Sequence, residues 1–476
     1  MTECTKPAAN LQLKFDFGIG KTVTGSFDGG LISTDGGLGL LRLVDDKLEL
    51  TKNASFCIAE KRRPDSIKHS ILDILRQRIY GIAAGYEDAN DATSLRFDPM
   101  HKLANGKALN DSDLASQPTI SRLENSITKE ELTFLQELLV HTYIRKHRKQ
   151  PKKLVLDLDT TCDPVHGHQQ LSFYNGFYGT FCYIPMFVFD EAGYPLVALL
   201  RPGNSDVGGD AARVLRNILT ILRKQWKNIP IEFRGDAAFC RREVYQVCEE
   251  FRVTYFIGLK SNHNLRCLAK DLIEKSKTEF ESLYGETQVM DKSAWRRKEE
   301  RMRFSSKANG RVQEIHEAEK YIRRVGELAW RGHGYTADMR VICRADYSEA
   351  GSELRFVVTN HKGGNPKWLY ENKYCRRGQC ENWIKELKMI DVDRLSCQEF
   401  NANQFRLLEH VFAYIMLREL RERLPKGSAN VSIQTLVLQF IKIGVLVQES
   451  IRRITLHWTS SYPRSQTFAA LVESFS

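Results

Sequence analysis

Nowhere in the 476 residues does an apolar run reach the roughly 18 positions that a membrane-spanning helix needs. The most apolar stretch, Leu436 to Val447, is interrupted by Gln439, Lys442 and Gly444. The segment from Met1 to Lys14 has no secretory apolar region, which predicts a cytosolic protein. No two cysteines have CxxC spacing, and the 11 cysteines are odd in number and scattered. That pattern disfavours both a disulfide framework and a structural zinc site. Cys162 with His166 and His168 has no second ligand cluster of matching spacing, so ordinary loop residues are the simpler reading there. Internal repeats and long low-complexity tracts are also missing.

The composition that remains is that of a globular chain, with 42% hydrophobic and 27% charged residues. Its length suggests about two to four domains. Basic residues exceed acidic ones by 11, which points weakly to a polyanionic partner, nucleic acid foremost.

Along the chain, Gly-rich turns at Asp28-Gly29-Gly30 and Asp35-Gly36-Gly37 precede a helical pattern at Leu38 to Leu48. Ser66 to Ile82 carries Ile67, Ile71, Ile74, Leu75 and Ile79 on one face, with Lys68, Arg76 and Arg78 elsewhere. This predicts an amphipathic helix with a basic component. Ser116 to Leu123 resembles the entry to a DNA-reading helix, although a capped helix start with Pro118 in its first turn is simpler. His141 to Lys153 is densely basic, and is either a solvated linker or a phosphate-contacting segment.

From Lys153 the apolar period changes to two: Leu154, Leu156 and Leu158 share one side, and Val155, Asp157 and Asp159 the other. Strands are expected at Cys182 to Phe189 and Tyr194 to Leu200, joined by the turn Asp190-Glu191-Ala192-Gly193. A helix (Gly209 to Trp226), a strand (Ile229 to Phe233), a helix (Arg241 to Phe251) and a strand (Val253 to Leu259) follow. Three strands, then helix, strand, helix, strand is the order of a ribonuclease H-like core. Tyr321 to Ala329, Asp338 to Arg344 and Glu353 to Thr359 also read as strands. From Tyr374 onward the chain reads as mostly helical.

The chemistry lies in carboxylates at strand ends. Asp159 closes one apolar strand and Asp236 another, and burying either without a partner is costly. A divalent cation with hard oxygen ligands would supply that partner. Asp157 and Asp159 lie on one strand face roughly 6.5–7 Å apart. Either could be the first ligand, with the strand exit favouring Asp159. A third carboxylate comes from Tyr374 to Lys388. At about 100° per residue, Tyr374, Arg377, Glu381 and Lys388 fall within an arc of about 60°. Trp383, Ile384, Leu387 and Ile390 supply an apolar side that would seat the helix on the core. A solvated helix face is the plain alternative; the apolar seat instead puts the polar stripe at the rim, with Glu381 toward the metals.

Tyr374, Arg377, Glu381 and Lys388 match the Y-x2-R-x3-E-x6-K signature, and the chain resembles bacterial insertion-sequence transposases with a DDE catalytic triad. Asp159-Thr160-Thr161 resembles the first-aspartate motif of that group. The spacing of 145 residues from Asp236 to Glu381 resembles the long spacing of that group. The resemblance covers about residues 150 to 420. It implies an α/β fold: a ribonuclease H-like core of mixed sheet flanked by helices, interrupted by a β-rich insertion, with helical N- and C-terminal regions. The corresponding division is 1–149 (mostly helical, DNA-binding), 150–270 (core, first part), 271–350 (insertion), 351–420 (core, second part) and 421–476 (helical).

The same resemblance implies cut-and-paste DNA transposition, with strand cleavage at transposon ends and strand transfer into target DNA. The metal ligands would be Asp159, Asp236 and Glu381, holding two Mg2+ ions with Mn2+ as a substitute. Tyr374, Arg377 and Lys388 would contact DNA phosphates. The partners would be double-stranded terminal inverted repeats and target DNA, with a homodimer in the DNA complex, no membrane, and a bacterial cytoplasmic, nucleoid-associated location. Trp295 or Trp330 could clamp a flipped base, although a packed or surface role is simpler for each. The rival is a catalytically inactive or nuclease-only DNA-binding protein on the same core.

Overall fold

The computed structural model describes residues 12–147, 149–285, 321–332, 338–349, 351–425 and 431–475. Near the N-terminus lie three short strands, β1 (Leu13–Phe15), β2 (Val23–Gly25) and β3 (Ile32–Ser33). Helices then dominate to Lys146. The strands β4 (Leu154–Thr160), β5 (Asp163–Pro164), β6 (Phe173–Asn175), β7 (Thr180–Tyr183), β8 (Met186–Asp190), β9 (Pro195–Leu199), β10 (Ile231–Gly235) and β11 (Val253–Leu259) follow. Three long strands come next, β12 (Tyr321–Trp330), β13 (Met339–Ser348) and β14 (Gly351–Thr359). The chain later returns to strand as β15 (Val445–Ser450) and β16 (Arg453–Trp458).

Eight of these strands form one mixed sheet, in the order β12-β13-β14-β11-β10-β4-β8-β9. β4, β10 and β11 run parallel, and β8 and β9 are antiparallel additions on one side. β14 joins antiparallel to β11 on the other side, so the later strands prolong the same sheet. β4 is buried on both faces from Leu154 to Leu158, as an interior strand of a covered sheet must be. The helices Ala211–Gln225 and Arg242–Glu250 connect β9 to β10 and β10 to β11.

The helix Phe400–Glu422 is buried along almost its whole length. Its apolar residues point in every direction, and the polar ones among them, Asn403, Gln404, Arg406, Glu409 and His410, are buried too, so it is a core helix whose polar groups must find partners inside the protein. It packs against β9 and the helices Leu38–Leu48, Ile71–Ala83, Gln117–Ser126 and Lys129–Lys146. The N-terminal helices therefore wrap the C-terminal part of the chain. An ion network ties them together: Arg406 donates to Glu124 at 2.8 and 3.1 Å, and Arg78 lies 3.5 Å from Glu124 and 3.8 Å from Glu409.

Several expectations need correction. The helix expected from Ser66 begins at Ile71, because Ser70 and Asp73 form a capping box there. Arg78, assigned to its polar side, is buried in the ion network, since a neighbouring helix covers that side too. The single strand expected at Cys182 to Phe189 is two, β7 and β8, parted at Ile184-Pro185. A proline has no N–H to donate to a ladder. The C-terminal region is not wholly helical. β15 and β16 form a hairpin whose β15 pairs with β3 from the other end of the chain. Val445 and Val447 are buried in it, as β-branched residues on an inward sheet face should be. Part of the basic run is internally committed: Lys146 is paired with Glu419 and Glu422, and Lys153 with Glu232.

Candidate active site

β4 and β10 are parallel neighbours, with Asp157 opposite Arg234 and Leu158 opposite Gly235. Asp159 and Asp236, one residue further on each chain, therefore emerge side by side at the same edge of the sheet. Asp236 caps a short 3-10 turn, accepting from the N–H of Ala238 at 2.9 Å. Asp159 accepts from the N–H of Thr160 at 2.9 Å.

Asp157 is fully buried, and Arg234 grips it with two parallel bonds of 2.5 and 2.6 Å. A bidentate guanidinium saturates a carboxylate's best acceptor positions. Burial still pushes the Asp157 carboxyl up to about 6 against the pull of Arg234. Asp159 has no such cage. Its carboxyl is also pushed up to about 6, by burial first, with Arg377 opposing and the charges of Asp236 and Glu381 adding to the rise.

The third element arrives from the far side. Residues 366 to 388 form a continuous helical run that is not uniformly α. Pro366–Leu369 and Gln379–Lys388 are α-helical, Tyr370–Tyr374 is a π turn and Cys375–Gly378 is 3-10. The even 100° step assumed from Tyr374 is thus broken by the 3-10 turn Cys375–Gly378. Trp383 seats the run: a Cβ added to Gly193, in the β8–β9 turn, would lie 2.4 Å from the indole nitrogen. Cys380 and Leu387 are buried beside it.

Arg377 lies between the carboxylates, with Nη1 3.0 Å from Asp159 and Nη2 3.9 Å from Glu381. Burial works against its charge, but Asp159, Tyr374, Asp236 and Glu381 together raise its pKa. Glu381 is exposed at the rim. Tyr374 is largely covered and senses Arg377 and Asp236. Its hydroxyl reaches the turn after β10 because Gly258 has no side chain: a Cβ there would stand 2.7 Å from the Tyr374 hydroxyl and 2.9 Å from the Ala237 nitrogen. Lys388 donates to the carbonyl of Cys162 at 3.0 Å and lies 3.5 Å from Asp163 and 3.3 Å from Asp393.

The structure thus brings Asp159, Asp236, Arg377, Tyr374 and Glu381 to one edge, with Lys388 about two helical turns beyond Glu381. Reading the sequence missed Arg234 and Gly258. The Arg234-Gly235-Asp236 run was visible, but nothing local shows that Arg234 faces Asp157. Trp330 ends the outermost strand, partly packed against the core, and Trp295 lies outside the described residues.

A divalent cation suits this donor set of three carboxylates, hard oxygen ligands whose like charges already strain one another. Among the described residues, no three His, Cys, Asp or Glu side chains stand close enough to hold an ion as placed. Arg377 occupies that space as a counter-charge.

The sequence profile of the family described as transposase DDE domain, group 1, matches residues 15–476. The chain belongs to that family. It is a DNA transposase, an enzyme of metal-dependent phosphodiester cleavage at transposon ends and strand transfer into target DNA. The chain is similar to a piggyBac transposase seen in a synaptic complex with hairpin DNA, at 10% identity and a TM-score of 0.38, covering 85% of this chain and 80% of that one. It is also similar to the Mos1 transposase in a paired-end complex with the left transposon end, at 12% identity and a TM-score of 0.17, covering 42% and 61%. No curated protein matches. Among the described residues of this transposase, no helix is long and apolar enough to cross a membrane.

Proposed function

We propose that Asp159, Asp236 and Glu381 are the metal ligands of this transposase. The observation that carries the reading is that two adjacent parallel strands end side by side in Asp159 and Asp236 while Arg377 links Asp159 to Glu381. Asp157 is the weaker candidate because Arg234 already holds both its oxygens. When bound, two Mg2+ ions (or Mn2+) supply an activated water and stabilise the leaving 3′ oxygen.

The chain's own residues set the rest. Arg377 must leave Asp159 before the carboxylates can converge, and a DNA phosphate offers its guanidinium a bidentate partner of the same charge. Tyr374 contributes a hydroxyl beside Asp236. Lys388, tied to the loop after β4, presents its ammonium on the same side. Each contacts phosphate near the cut. No protein nucleophile is required, since the water and the freed 3′-OH act by in-line displacement.

The order β9-β8-β4-β10-β11 supports a ribonuclease H-like core, and β12 and β13 with the preceding helix Lys270–Tyr284 support a β-rich insertion at 271–350, whose strands continue through β14 (Gly351–Thr359) into the sheet. The enzyme acts by cut-and-paste, as a homodimer on paired transposon ends, in a bacterial cytoplasm.

The test is cleavage of supercoiled plasmid carrying the element's own ends, in Mg2+ and in EDTA. Wild type cuts at the ends only with metal. Asp159→Asn, Asp236→Asn and Glu381→Gln each bind the ends without cutting. A variant that cuts at the wild-type rate removes that residue from the site.

A further inference from the structure

The hairpin of β15 and β16 outruns the sheet that holds it. β3 meets β15 only at Val445 and Leu446, and just beyond them the N–H of Val447 donates to the Leu31 carbonyl at 2.8 Å. The root is fixed: Val445 and Val447 are buried, and the Trp458 indole donates to the Gly36 carbonyl at 3.0 Å. Past the root the two strands stay paired out to Ser450 opposite Arg453. Yet every residue from Gln448 to Ile454 is exposed. At about 3.4 Å per residue, this bare ribbon stands roughly 10 Å clear of Val447.

Its tip is the two-residue turn Ile451-Arg452, and neither residue suits a hairpin turn. Such turns favour Asn-Gly, Asp-Gly or a leading Gly, which reach positive φ without strain. Neither Ile451 nor Arg452 takes positive φ. Ile451 is also the most exposed large apolar side chain among the described residues. A side chain set against the local rule, with no packing gained in return, marks a functional position. Arg452 and Arg453 form no ion pair among the described residues. Alternation puts Gln448, Ser450, Arg453 and Thr455 on one face of the ribbon and Glu449 with Ile454 on the other, so the first face carries no carboxylate.

We propose that this hairpin tip enters the minor groove of the transposon-end duplex, with Ile451 wedged into a base step and Arg452 and Arg453 beside it in the groove. A minor groove about 6 Å wide and 7.5 Å deep admits the side chains of a turn, and the reach of the ribbon exceeds that depth. An apolar wedge accompanied by arginine partly unstacks a step and bends the duplex by about 20–90°. There Ile451 gains a burial that phosphate contact would not give it. Gln448, Arg453 and Thr455 can hydrogen-bond base edges, which serves a fixed sequence and so assigns the tip to the element's ends rather than to target DNA. A protein partner fits less well, since one bare isoleucine between two unpaired cations is not the contiguous apolar patch such a partner buries. The wedge does not depend on which carboxylates hold metal.

The experiment uses the full chain in EDTA, so that nothing is cut, and a duplex of the element's end with a fluorescence donor at one terminus and an acceptor at the other. Wild type should raise energy transfer as it bends the duplex. Ile451→Ala should bind within about fivefold of wild type and lose most of that rise, while Ile451→Leu keeps it. Arg452→Ala with Arg453→Ala should bind about tenfold or more weakly and lower the salt slope by about 2. Netropsin, which fills the minor groove, should displace the protein from the end, and methyl green, which occupies the major groove, should not. All three side chains are exposed, so urea unfolding of the variants should match wild type. Full bending by Ile451→Ala, wild-type affinity and slope in the arginine variant, or displacement by methyl green alone overturns the wedge. Equal bending of an unrelated duplex overturns its assignment to the ends. Asp159→Asn, assayed alongside, should bend the end as wild type does while failing to cut it in Mg2+, so the wedge and the metal site stand or fall separately.

Discussion

Arg234→Met tests the proposal that, of the two aspartates on β4, Asp157 serves structure and Asp159 the metal site. The substitution keeps most of the side-chain volume and removes the guanidinium, leaving Asp157 buried with no counter-charge. Breaking a buried pair from one side typically costs about 3–5 kcal/mol. The Lys373 carbonyl, which accepts from Arg234 at 3.1 Å, is stranded as well, adding about 1–3 kcal/mol if it stays dry. Replacing both partners, Arg234→Met with Asp157→Leu, removes the orphaned charge, and such exchanges are often neutral or stabilising. Urea denaturation at pH 8 in EDTA, followed by tryptophan fluorescence, should show the single variant far less stable and the double variant near wild type. The double variant should still cut plasmid ends in Mg2+, because the strand-end carboxylate is intact. A double variant that folds like wild type, binds the ends and fails to cut would refute the assignment of Asp157 to structure. A single variant costing under about 1 kcal/mol would refute the energetic argument.

Two further outcomes follow from the same geometry. Gly258→Ala places a methyl against the Tyr374 hydroxyl and the Ala237 nitrogen, and overpacking of this kind costs about 1–3 kcal/mol. End cleavage should fall with it, and Tyr374→Phe added to Gly258→Ala should recover part of the lost stability; a Gly258→Ala protein as stable and active as wild type would contradict the contact. Asp163 is buried with both carboxylate oxygens unbonded, and burial pushes it up to about 7, with Lys388 opposing and Asp393 adding. Its folded pKa lies above its unfolded value, so the native state holds the extra proton and stability falls as pH rises from about 4 to 7, by roughly 4 kcal/mol at most. Asp163→Asn should flatten that fall in metal-free denaturation curves; an unchanged slope would show that Asp163 does not titrate there.

Much of the candidate site was legible because its signals are local. Asp159 and Asp236 announce themselves as carboxylates closing apolar strands, and the Tyr374-Arg377-Glu381-Lys388 spacing needs one helical run to be read. The strand expected at Val253 to Leu259 is β11 to the residue. The even helical wheel was a fair guide because, between Tyr374 and Lys388, only the four residues Cys375–Gly378 leave the α-helical step. The ribbon from β5 to β7 was not legible. Its aromatics, spaced Phe173-Tyr174 and Phe177-Tyr178, look like any half-buried strand until the structure shows Tyr174 and Phe177 mostly exposed.

The sequence by itself determined the local elements, the acidic strand ends and the family signature, because periodicity and spacing act between residues a few positions apart. Only the tertiary structure decided that Arg234 bonds both oxygens of Asp157, that Gly258 admits Tyr374, that β15 pairs with β3, and that the helix Phe400–Glu422 is enclosed by N-terminal helices. Each of those depends on residues that meet only after long loops close. A pattern within one segment carries no record of what will be packed against it.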